Sequence, residues 1–262
     1  MKNIVLFDSD NHQFVLLNES KPGEENGIRS NQYLIKHNDD GVLLDPGGFG
    51  VMPQVLAEML RYINPEKIRG IILSHQDPDI VAGLNTWVEF IKAPIYISKI
   101  WTRFLPHYGL KNINQFFGIP DSGMDCTFGD GFDLKLVPAH FLHSEGQFNV
   151  YDPISKILFT GDIGTACMPQ QKKTEVIFVD DFNEHKHHIE WFHRRYMCSN
   201  NAARAWVETI QDLDIQMIAP QHGPIYRGQA VRDFIEWFQK LRCGIDLMSA
   251  RGVFQKEAHD DV

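Results

Sequence analysis

The chain lacks what several function classes require. It has only four cysteines in 262 residues, Cys126, Cys167, Cys198 and Cys243, spaced 41, 31 and 45 positions apart. With no CxxC pair, neither a zinc ribbon nor a disulfide framework is expected, and the thiols read as reduced residues of a cytoplasmic protein. No run approaches the roughly 18 apolar residues of a membrane span. The four-residue apolar run that Asp8 closes is too short for a signal peptide. Positive charge is also scarce: 25 Lys plus Arg face 34 Asp plus Glu, a formal net of −9. That balance argues against a nonspecific nucleic-acid binder and against a polybasic membrane surface. There is no Pro/Ser/Gly linker and no fixed short repeat, so a single domain over residues 1–262 is expected.

What is present is ample core material and an excess of histidine. The chain is 43% apolar, with 18 Phe and 12 His. A chain this long can take roughly 70–75% of its unfolded surface out of water without a disulfide or a metal. Strand patterns cover Ile4–Phe7, Phe14–Leu17, Gln32–Ile35 and Val42–Leu44, with a turn-rich stretch at Lys21–Asn26. Further strands are expected at Ile71–Leu73, Pro94–Ile97, Asp133–Val137, Gln147–Tyr151, Ile157–Thr160 and Met217–Ala219. Helical spacing marks Val51–Tyr62, Ala82–Phe90, Ile100–Tyr108, Asn201–Leu213 and Gln229–Met248. The alternation suggests stacked sheets covered by helices.

Four of the strands run into His or Asp. After Ile71–Leu73 come His75, Asp77 and Asp79; after Asp133–Val137 come His140 and His143; Asp162 follows Ile157–Thr160, and His222 follows Met217–Ala219. Strand ends converge on rigid crevices, so a shared metal site explains the pattern better than coincidence. In an extended segment, side chains at i, i+2 and i+4 point to one side. His75-x-Asp77-x-Asp79 could therefore present three donors from one loop, with Pro78 stiffening the path. Carboxylates mixed with imidazoles suit iron or manganese, whereas thiolate or all-His sets suit zinc.

These residues and their surroundings resemble the metallo-β-lactamase superfamily. The intervals of 68, 19 and 60 residues between His75, His143, Asp162 and His222 match its flavodiiron branch. So do Leu73-Ser-His75, Leu142-His143-Ser-x-Gly146, Phe159-Thr-Gly-Asp162 and Phe192-His-Arg-Arg-Tyr-Met197. The chain is most similar to the oxygen-binding di-iron group, which keeps this domain without a flavodoxin module; no FMN-binding loop is present.

The resemblance implies an αββα sandwich and two iron ions, with zinc or manganese as alternatives. His75, Asp77 and His143 would hold the first ion, Asp79 and His222 the second, with Asp162 bridging them. It further implies dioxygen or another diatomic as ligand, an external electron donor or a redox or signalling protein partner, and a homodimer. Ile80 stands where relatives carry a histidine, which would leave the second ion one ligand short. Tyr196, in the matched Phe192–Met197 stretch, is the candidate catalytic residue, as a hydrogen-bond donor to bound oxygen or as an oxidisable group.

The function expected is a non-haem di-iron protein that binds dioxygen, as a sensor or an O2/NO-reducing oxidoreductase. A dinuclear hydrolase acting on a phosphodiester or thioester is the alternative, and it requires polar or basic residues near the site. Around these residues, His140 reads as an outer donor to a ligand carboxylate or as a core histidine. His185, His187, His188 and His193 read as solvated or capping residues on a helix. Asp45, in Leu44-Asp-Pro-Gly-Gly, reads as a turn-shaping residue.

Overall fold

Apolar residues repeated along short strands give each of two sheets a face to bury, as a computed structural model of the chain shows. It describes residues 3–17, 29–110, 113–168, 176–249, 252 and 254, so the Lys21–Asn26 stretch lies outside the described residues. The first sheet comprises β1 (Ile4–Asp8), β2 (His12–Leu17), β3 (Gln32–His37), β4 (Asp40–Leu44), β5 (Ile68–Ile72), β6 (Ile95–Ser98) and β7 (Phe116–Ile119), in that spatial order. β1 to β4 form an antiparallel meander, and β4 to β7 run parallel.

The second sheet contains β8 (Met124–Gly129), β9 (Phe132–Pro138), β10 (Phe148–Asp152), β11 (Ile157–Gly161), β12 (Phe178–Val179), β13 (Met217–Pro220) and β14 (Ile225–Arg227). Its spatial order is β12-β14-β13-β11-β10-β9-β8. Between the sheets lies an apolar layer that includes Phe14, Tyr33, Phe132, Phe148 and Phe159, all fully buried.

Helices cover both outer faces, which completes the expected αββα order. α1 (Met52–Met59), α2 (Pro78–Val81) and α3 (Leu84–Phe90) pack Val55, Met59, Ile80, Val81, Leu84 and Trp87 onto the first sheet. α4 (Phe182–Tyr196), α5 (Asn200–Ile210) and α6 (Gln229–Lys240) cover the second. Asp181 caps α4 by accepting from the main-chain N–H groups of Asn183 and Glu184, and Ser199 caps α5 on Ala202. On α5, Trp206 Nε1 donates to Asn149 Oδ1 at 2.6 Å, so the indole is buried without losing its hydrogen bond.

Several boundaries differ from the sequence expectation. Ile100–Tyr108 is a 3-10 turn over Thr102–Tyr108 that ends at Gly109 in the left-handed region, φ 80°. The expected Gln229–Met248 helix stops at Lys240, where Leu241 turns extended at ψ 125°, and resumes as a 3-10 turn at Gly244–Leu247, with Gly244 at φ 51° against the Cys198 carbonyl. Strands β7, β8, β12 and β14 carry no pattern that the sequence reading picked out. Among the described residues, no helix is long and apolar enough to cross a membrane.

Candidate metal centre

Five loops at the carboxyl ends of β4, β5, β9, β11 and β13 meet at one edge of the sandwich, and all six candidate ligands stand on four of them. His143 Nε2 lies 3.1 Å from Asp77 Oδ2 and 3.3 Å from Asp162 Oδ2. His75 Nε2 lies 3.7 and 3.9 Å from the same two oxygens, with its ring edge-on to His143 at 5.0 Å between centroids. On the other side, His222 Nε2 is 3.2 Å from Asp79 Oδ2 and 3.5 Å from Asp162 Oδ1. Asp162 therefore turns one oxygen to each half. His75, His143 and Asp162 bring three donor atoms within 4.8 Å of one another.

The 75–79 loop does this differently from the extended arrangement expected. Asp77 is extended, at φ −65° and ψ 149°, but Pro78 starts α2, and Asp79 falls in its first turn. Proline is pre-set for that position, where its missing N–H costs nothing. The helical turn carries Asp79 away from Asp77 and towards His222. Ile80 is fully buried among Val81, Leu84 and Trp87 and presents no donor.

Tautomers and charge test whether a cation fits. Asp45 accepts from both the main-chain N–H and the hydroxyl of Ser74, at 2.7 and 2.5 Å. The Ser74 oxygen then accepts from His75 Nδ1 at 2.9 Å, and His222 Nδ1 donates to the Arg29 carbonyl at 2.8 Å. With Nδ1 carrying the proton in both rings, each neutral Nε2 aims a lone pair at carboxylate oxygens. Acceptors facing acceptors require a proton or a metal ion between them.

The pKa shifts say the same. Burial lowers His222, yet its hydrogen bond with Asp79 and the charges of Asp162 and Asp79 push it up to about 9. Burial lowers His75 too, and Asp77 and Asp162 carry it above its ordinary value. Burial opposes ionisation of Asp77, but His143 and His75 hold it well below the usual carboxylate range. Three carboxylates and three imidazoles, two of them with preset tautomers, fit two divalent cations.

Comparison with known proteins places this arrangement. A family description, the ODP family beta-lactamase, matches residues 28–223. The chain belongs to that family.

A solved structure titled "Peroxy diiron species of chemotaxis sensor ODP" is 41% identical to this ODP-family chain. It covers 94% of this chain and 97% of its own, with a TM-score of 0.84. The apo state of chemotaxis sensor ODP from T. denticola is 42% identical, with a TM-score of 0.83. Diflavin flavoprotein A 1 of Synechocystis is 26% identical over 82% of this chain and 37% of its own length. An uncharacterized protein of Methanocaldococcus jannaschii is 24% identical, over 82% and 54%. The chain thus spans about half or less of these curated relatives' length. The metallo-β-lactamase-like, flavodiiron-type core expected from the motifs is the architecture found.

Tyr196, 47% exposed at the end of α4, stacks on Phe192 and meets the edge of His143 at 5.9 Å between centroids. His140 points away from the six: its Nε2 hydrogen-bonds the Asp121 carbonyl at 2.8 Å, because the β9 turn directs it towards β7 and β8. Asp45 does not shape a local turn. Its side chain reaches 29 residues along the chain to Ser74 from a left-handed backbone, φ 40°, and burial pushes its carboxyl up to about 7 against the pull of His75 and Ser74.

The helix histidines divide. His187 is exposed, but His185 and His193 are buried, because α4 turns that face onto Tyr226, Phe234 and Phe238. His193 Nδ1 donates to the Ile189 carbonyl, so Nε2 accepts the Gly164 N–H at 2.9 Å, two residues from Asp162. Sequence reasoning missed the roles of Ser74, Gln76, His193 and Gln221. The first two and the last adjoin His75 and His222, which was a usable signal; His193 offered none.

Proposed function

We propose that this chain is a non-haem di-iron protein that binds dioxygen, working as an oxygen sensor. One observation carries the reading: Asp162 offers Oδ2 to the His75–Asp77–His143 group and Oδ1 to the Asp79–His222 pair. When bound, two ferrous ions supply two electrons to a diatomic acceptor and Lewis acidity at neutral pH. The side chains do the rest. His75, Asp77 and His143 would hold one ion and Asp79 and His222 the other, with Asp162 shared. The three carboxylates offset three of the four positive charges of two divalent ions. The hydrogen bonds from Ser74 to Asp45 and from His222 to Arg29 keep two imidazoles aimed inward. Tyr196 stands beside His143 and can donate a hydrogen bond or a proton to a ligand on that side.

The sensor assignment is supported by two solved structures above 40% identity, both described as chemotaxis sensor ODP. An O2/NO-reducing oxidoreductase fed by an external donor is the second reading, supported by the diflavin flavoprotein relatives. Over a hydrolase, oxygen binding is supported by the solved structures of chemotaxis sensor ODP above 40% identity, one of them described as a peroxy diiron species. A cytoplasmic protein of one domain, paired with a second copy and read out by a signalling partner, completes the proposal.

The test is iron content with anaerobic and aerobic optical spectra. About two iron ions per chain, with charge-transfer bands appearing in air, is the expected result. Stoichiometric zinc with esterase activity would overturn it. Sustained oxygen consumption with a supplied reductant would move the assignment from sensor to reductase.

A further inference from the structure

Gln76 sits between His75 and Asp77, half-buried, and makes three hydrogen bonds. Its Nε2 lies 3.1 Å from Asp77 Oδ1, its Oε1 lies 2.6 Å from Ser144 Oγ, and its main-chain carbonyl accepts from the Tyr108 hydroxyl at 3.2 Å. A carboxylate only accepts, so the amide nitrogen must face Asp77, and the Ser144 hydroxyl must donate to the amide oxygen. One side chain therefore ties the loop carrying His75 and Asp77 to the loop carrying His143.

The two halves of the site differ in how their carboxylates are held. At Asp77 the amide occupies Oδ1, leaving Oδ2 to face His143 and His75. At Asp79, Gln221 Nε2 donates at 3.0 Å to Oδ2, the same oxygen that faces His222 at 3.2 Å. A cation entering beside His222 must compete with that N–H for its oxygen. A cation entering beside His143 meets an oxygen whose carboxylate is already oriented through its other atom.

We propose that Gln76 is a positioning residue that presets the His75–Asp77–His143 half for a divalent cation and makes it the half that fills first. The inference rests on the dinuclear reading above and deepens it. Fixing the Asp77 carboxylate and the distance between the two loops removes ordering cost before the ion arrives. Outer partners of this kind typically change metal affinity by about 10–100-fold.

The test titrates Co(II) into the full-length, chelator-stripped protein under anaerobic conditions, followed by calorimetry and visible absorption. The unsubstituted protein is expected to take up two ions in resolved steps. Gln76→Met keeps the side-chain length but removes both side-chain hydrogen bonds. It should weaken the first step about 10–100-fold, alter that ion's visible bands and leave the second constant unchanged. Ser144→Ala should do the same more weakly, Ser144→Thr should restore the first constant, and thermal melts of the metal-free proteins report folding. If Gln76→Met does not fold, Ser144→Ala carries the comparison. Unchanged steps in the folded variants, equal weakening of both steps, or unresolved steps in the unsubstituted protein would overturn the inference alone. Failure of the unsubstituted protein to bind any divalent ion would overturn the dinuclear reading with it.

Discussion

Replacing His193 by Leu tests how the structure supports the loop of Asp162. Leucine keeps the apolar contacts with Phe234 and Phe238 but cannot accept the hydrogen bond from the Gly164 N–H. A buried N–H left without a partner costs about 1–3 kcal/mol, so the variant should be about 2 kcal/mol less stable at pH 7.5. Acid changes the comparison. Burial holds His193 at about 4, against an ordinary 6.5. Its folded-state value is depressed, so its contribution is present above pH 6.5 and is lost as the pH falls towards 4. At about 1.36 kcal/mol per pH unit that is roughly 3 kcal/mol, a loss the leucine variant does not share. His185 is also held at about 4 by burial and its histidine neighbours; it titrates in both proteins and loses only its smallest cause, the charge of His193, in the variant, so most of its effect drops out of the difference. Urea unfolding of the metal-free proteins from pH 7.5 to 4.5 should therefore show the gap closing, with the two curves meeting near about pH 5. A gap that stays constant over that range would refute the reasoning.

Three further outcomes are expected. Asp162→Ala should reduce bound divalent ion from two per chain to one or none by elemental analysis, with thermal melts of the metal-free protein reporting folding; two ions retained would refute a shared carboxylate. Ser74→Ala breaks the link from Asp45 to His75 Nδ1; affinity for the first ion should fall about 10–100-fold with stoichiometry intact, and unaltered affinity would show that the link is dispensable. Gly83→Ala would put a Cβ 2.7 Å from the Gly47 carbonyl oxygen, against backbone that cannot swing aside. Chemical unfolding should report a loss of about 1–3 kcal/mol, and a neutral result would mean the Gly47–Gly48 turn relaxes freely.

What the sequence by itself determined is the layer order and which residues stand as candidate donors at the strand ends. Apolar alternation and short buried runs, as at Ile71–Leu73 and Ile157–Thr160, are local signals because strand and helix periods differ. Each strand's last residues then announce which side chains reach the crevice. The matched motifs added the division into two groups, which spacing alone does not give. Tertiary structure decided everything that depends on partners distant in the chain. That Asp79 serves His222 follows from the turn started at Pro78 and from a contact across 143 residues. His193 is a support and not a surface residue because α6 and the Gly164 loop enclose it. The short strands β7 and β8 form because neighbouring strands offer them hydrogen bonds, which no residue in them advertises. The tautomers of His75 and His222 are set by a serine tied to Asp45 and by a main-chain carbonyl at Arg29. Hydrogen-bond direction is a property of assembled geometry, so it becomes readable only once the loops have met.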